Sequence, residues 1–81
     1  MDGVGKGEHG WFDLKRAVVS YDHPHHAWFE DSINIDFVNP EMGPGARVAV
    51  EISLESARGL MQALQRAIAA ADIEESAPNR K

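Results

Sequence analysis

Two short segments of strict alternation constrain this chain more than anything else in it. "SINIDFV" (Ser32 to Val38) sets Ile33, Ile35 and Phe37 against Ser32, Asn34 and Asp36. That period of two gives a β-strand with one apolar face. "ARVAVEISL" (Ala46 to Leu54) repeats the pattern, with Val48, Val50 and Ile52 alternating with Arg47, Ala49 and Glu51. Between them "NPEMGPG" (Asn39 to Gly45) holds two prolines and two glycines, which end one strand and start the next.

At Ser53 the period changes to that of a helix. Ala57, Leu60, Met61, Leu64, Ala67, Ile68 and Ala71 fall on one stripe, with Arg58, Gln62, Gln65 and Arg66 opposite. Ser53 is suited to cap the N-terminus, and Glu55 in the first turn complements the helix dipole. The expected helix runs from Leu54 to about Asp72 or Ile73. Upstream, Trp11 to about Tyr21 reads as another strand with less regular parity. Phe12, Leu14 and Val18 share one side; Trp11, Ala17, Val19 and Tyr21 share the other. Either a bulge near Lys15 and Arg16 switches the faces, or both faces are covered. Covering both calls for a partner, because one helix can cover only one side of a sheet.

The order implies an α+β fold: a three-stranded antiparallel meander, then one long amphipathic C-terminal helix packed on one face, β-β-β-α. The expected organisation is a flexible segment over residues 1–10, a single domain over 11–73, and a disordered polar tail over 74–81. With 81 residues the chain is one small domain. Such a domain buries only about 60% of its unfolded surface and usually needs a disulfide, a metal or a partner chain. There is no cysteine, which excludes disulfides, thiolate metal sites and cysteine nucleophiles.

Composition narrows the function classes. Thirteen Asp and Glu against eight Lys and Arg give a net charge of −5, which disfavours nucleic acid, since its binding relies on clustered cations. No segment reaches the roughly 18 apolar residues of a membrane span. "MDGVGKGEHG" lacks the apolar run of a secretory signal. The expectation is a cytoplasmic protein that binds neither nucleic acid nor membrane.

"YDHPHHAWFED" (Tyr21 to Asp31) gathers three of the four histidines. His23 and His25 have His-x-His spacing, His26 adjoins them, and Asp22, Glu30 or Asp31 could complete a shell for zinc, nickel or copper. The spacing straddles Pro24 in a segment that reads as a hairpin connection, where exposed loop histidines are the simpler account. A histidine-based metal-binding or pH-responsive module over 22–31 is therefore the alternative function. A small enzyme subunit using a loop histidine as acid or base is a weaker one. "GVGKG" (Gly3 to Gly7) follows no strand, opens no helix and lacks the Lys-Ser or Lys-Thr pair of a phosphate loop. So small a core also leaves little room for a substrate cavity of about 300 Å³.

The aromatic pairs Trp11-Phe12 and Trp28-Phe29 must each send one ring to either side of a sheet, and Trp28 is expected to begin the second strand near Tyr21. Rings left outside the core suit an interface, where Trp and Tyr are enriched. Trp11, Val19, Tyr21 and Trp28 are the sheet candidates. On the helix, Gly59 interrupts good helix formers off the apolar stripe, and a Gly59/Ala63 flank would admit another backbone closely. The leading expectation is a non-enzymatic protein-interaction or regulatory domain without cofactor. It would act as a homodimer, in the manner of bacterial or phage accessory and inhibitor proteins.

Overall fold

The computed structural model describes residues 1–23, 26 and 28–76. In chain order the elements are strands β1 (Val4–Gly7), β2 (Gly10–Asp13), β3 (Arg16–Asp22), β4 (Ser32–Val38) and β5 (Arg47–Ile52), then helix α1 (Leu54–Ser76). β3, β4 and β5 form an antiparallel sheet in that order. The meander followed by a helix is thus present, and both alternating segments form strands where their periodicity puts them.

The first ten residues depart from the flexible lead-in expected of them. β1 pairs antiparallel with β2, Gly7 opposite Gly10, as a second, two-stranded sheet. Glu8 and His9 turn the chain at negative φ, and Gly10 follows at a φ of 112°, the combination of a type I turn with a glycine bulge. Gly7 serves another end. A methyl group there would lie 2.6 Å from the Gly45 carbonyl oxygen and 3.0 Å from the Phe12 ring. The glycine lets β1 approach the entry to β5 and leaves room for Phe12, which with Ala46 makes up the buried hydrophobic residues among those described.

The expected strand from Trp11 to Tyr21 is two strands. Leu14 N–H donates to the Gly3 carbonyl at 2.9 Å, whereas the next N–H, that of Lys15, donates to the Val38 carbonyl at 2.9 Å. Consecutive donors serve different sheets, so the chain leaves the small sheet and enters the large one between them. That crossing, rather than a bulge in one strand, produces the change of apolar parity. Asn39 ties the two sheets together from a position only 8% exposed. Its Nδ2 donates to the Asp13 carbonyl at 2.9 Å, and its Oδ1 accepts from Glu41 N–H at 3.2 Å. The second bond caps a short 3-10 turn at Pro40–Met42.

Helix α1 begins as its sequence implies. Ser53 Oγ accepts from Ser56 N–H at 3.1 Å, satisfying a donor that the helix leaves unpaired. It ends three residues beyond the expected limit, at Ser76, so Glu74–Ser76 belong to the helix instead of a tail. Its packing differs more. Leu54 and Ala57 are half-buried, but every residue from Arg58 to Ser76 is exposed. Ser53 alone separates β5 from α1, and the two steps from Ile52 to Leu54 span at most about 7 Å. A helix is about 10 Å across with its side chains, so this short link favours a helix that leaves the end of the sheet over one folded back onto it. The chain is correspondingly extended, with a radius of gyration of 15.9 Å against about 12 Å for a compact domain of its length.

Candidate interaction surface

Residues directly opposite one another in an antiparallel pair project to the same side. The register therefore builds one apolar face from three cross-strand rows: Ala17–Phe37–Val48, Val19–Ile35–Val50 and Tyr21–Ile33–Ile52. None of these nine residues is buried. Val19 is 63% exposed, Tyr21 64% and Val50 41%. The β1–β2 hairpin flanks the row at one end, where Val4, Gly5 and Leu14 share a groove with Phe37 and Val48. In the middle row of the face Val19 and Val50 stay exposed, with Ile35 half-buried between them.

A second apolar surface lies on α1. Leu60, Met61, Leu64 and Ile68, all on the expected stripe, are each about half exposed. Among the described residues, then, the sheet face has no helix over it and the helix stripe has no sheet against it. Of the interface candidates from the sequence, Val19 and Tyr21 stand on this sheet face. Trp11 is on β2 in the small sheet, 69% exposed. Gly59 and Ala63 are exposed on α1, and a methyl group on Gly59 would meet nothing within 4 Å. They stand on α1, whereas Val19 and Tyr21 stand on β3. The periodicity of Ile35, Val50, Leu60, Leu64 and Ile68 assigns them to an internal core, yet none of them is buried.

Trp28 does not begin β4. The ladder starts at the Asp22–Ser32 pair, leaving residues 23–31 as the connection. Trp28 is 94% exposed there, its ring edge-on to Phe29 with centroids 5.9 Å apart. Ser32 closes the base of this connection. It is fully buried, with Oγ donating to the Asp22 carbonyl at 3.1 Å and lying 2.8 Å from Asn34 Oδ1. Tyr21 hydroxyl donates to Asp31 Oδ1 at 3.1 Å. That bond and the adjacent carboxylate charge raise the phenol pKa above its ordinary value, since ionisation would forfeit the bond.

The histidines go to different partners. His23 Nδ1 lies 3.3 Å from the Glu30 carbonyl oxygen and 3.9 Å from Asp31 Oδ1. The His26 backbone N–H donates to Glu51 Oε1 at 3.0 Å, across to β5. His25 lies outside the described residues. Among the described residues no three His, Asp or Glu side chains are grouped so as to hold a metal ion.

The opposite face of the sheet is polar. Arg47 meets Asp36 bidentately, Nε to Oδ1 at 2.6 Å and Nη2 to Oδ2 at 2.7 Å. The hydrogen bonds from Arg47 hold the Asp36 carboxyl below its ordinary pKa of 3.8, and Asp36 raises that of Arg47 in turn. Ser20, Asn34 and Glu51 complete a shallow polar concavity there. No described helix is long and apolar enough to cross a membrane.

A family model matches residues 1–77. The chain belongs to DUF6295, a family of unknown function. Nearly the whole DUF6295 match is the two-sheet body with its projecting helix, so both uncovered apolar surfaces lie inside the family's span. No curated protein and no solved structure matches the chain.

Proposed function

We propose that this chain is a small cytoplasmic, non-enzymatic protein-interaction domain that works as a homodimer. The observation that carries the reading is the exposure of α1: its apolar residues, Leu60, Met61, Leu64 and Ile68, stay about half exposed, with no layer against them among the described residues. Exposed hydrophobic side chains occur singly on any protein, but a contiguous stripe of this kind marks a contact surface. Two further features support it. Buried hydrophobic residues among those described are only Phe12 and Ala46, too small a core to stabilise a domain alone. The shallow polar concavity around Asp36 and Arg47 pairs its charged groups with one another and offers no enclosed space for a substrate.

Size-exclusion chromatography with light scattering tests the reading. The expected mass is twice the chain's 8.9 kDa. A monodisperse, thermally stable monomer at micromolar concentration would overturn it.

A further inference from the structure

We infer that the dimer is built by reciprocal exchange, the α1 stripe of each copy covering the apolar sheet face of the other. This rests on the homodimer reading and deepens it by naming both halves of the contact. Helix and sheet are complementary in kind, since each lacks the layer that the other supplies. They are also matched in length. Leu60 to Ile68 spans about 12 Å of helix, and the sheet rows from Ile33 to Phe37 extend about 13 Å along the strand.

Two other arrangements fit less well. In the single chain α1 leaves the sheet after one residue, Ser53, and is exposed from Arg58 to Ser76. Pairing the two helices alone would leave Val19, Tyr21 and Val50 as exposed as they are in the single chain.

The surface area fits as well. The chain exposes 6577 Å², whereas a compact monomer of its mass exposes about 4,800 Å². Two copies therefore carry an excess of roughly 3,600 Å², within the range of about 2,000–5,000 Å² buried by obligate homodimers. A two-fold axis makes the exchange self-complementary, as isologous dimers require.

The absence of native cysteine permits a clean test with the full chain. Single-cysteine variants Leu64→Cys, Val50→Cys and Val19→Cys are purified reduced, and light scattering checks that each keeps its dimer mass. Leu64→Cys is then refolded together with each sheet variant and treated with a short bis-maleimide. Covalent dimers should form several-fold more in the mixtures than in Leu64→Cys alone. Because each chain carries one thiol, every such link joins two copies. A dimer in which Leu64→Cys couples only to itself, or in which neither sheet position couples to Leu64→Cys, overturns the exchange while leaving the homodimer standing. A monomeric parent protein overturns both. Two sheet positions keep the test open where one substitution disturbs folding.

Discussion

Asn39 shows how much of this fold hangs on single side chains. Its amide joins the Asp13 carbonyl of the small sheet to the turn that leads into β5, from a nearly buried position. Asn39→Ala leaves the Asp13 carbonyl unpaired and should cost about 1–3 kcal/mol in urea unfolding. Asn39→Asp keeps the acceptor for Glu41 but loses the donor, so it should fall on the same side of the parent. An unchanged midpoint would mean that the Asp13 bond contributes nothing. Asp36 acts through charge instead. Because Arg47 lowers its folded pKa, the contribution of Asp36 is present above the unfolded carboxylate pKa and is lost as pH falls through the folded value. Asp36→Asn should therefore flatten the stability profile below about pH 4 and leave its shape near neutrality alone. Both groups are partly exposed, so the effect is that of a surface pair, screened by salt.

Within the elements, local rules and packing pull apart. Ser53 caps α1 as its chemistry implies, and the stripe from Ala57 to Ile68 follows the helical period. Gly59 lies off that stripe with open space around it. Gly59→Ala should raise the melting temperature, reflecting up to about 1 kcal/mol of helix propensity, and leave the dimer mass unchanged. Loss of the dimer would instead put the Gly59/Ala63 flank in the contact. Strands β4 and β5 were legible because each keeps one parity throughout. The Trp11–Tyr21 segment was not legible as two strands, since the switch lies in the partners of Leu14 and Lys15 N–H, and parity alone cannot distinguish a bulge from a crossing. β1 was missed for a related reason. Three glycines in Val4–Gly7 and the residue before it lower strand propensity, yet Gly7 is what allows the backbone to pass Gly45.

For the whole molecule, the proposed association has a thermodynamic signature. If folding and dimer formation are linked, the melting temperature depends on protein concentration and should fall by roughly 3–5 °C for each tenfold dilution. A concentration-independent transition, followed by circular dichroism, would separate folding from assembly. Trp28 stands outside this scheme. Its exposed ring lies edge-on to Phe29 in the connection between β3 and β4, and Trp11 on β2 is likewise exposed away from both proposed contact surfaces.

The local periodicities determined β4, β5, α1 and the choice of residues for each apolar surface, because alternation and helical spacing are properties of neighbouring residues. They could not determine what lies against those surfaces. That was decided by the path of the chain in three dimensions. α1 leaves the sheet one residue after β5 and is exposed from Arg58 onward. The donors at Leu14 and Lys15 divide one apparent strand between two sheets. Long-range geometry of this kind separates a helix packed on its own sheet from one whose apolar stripe stays exposed.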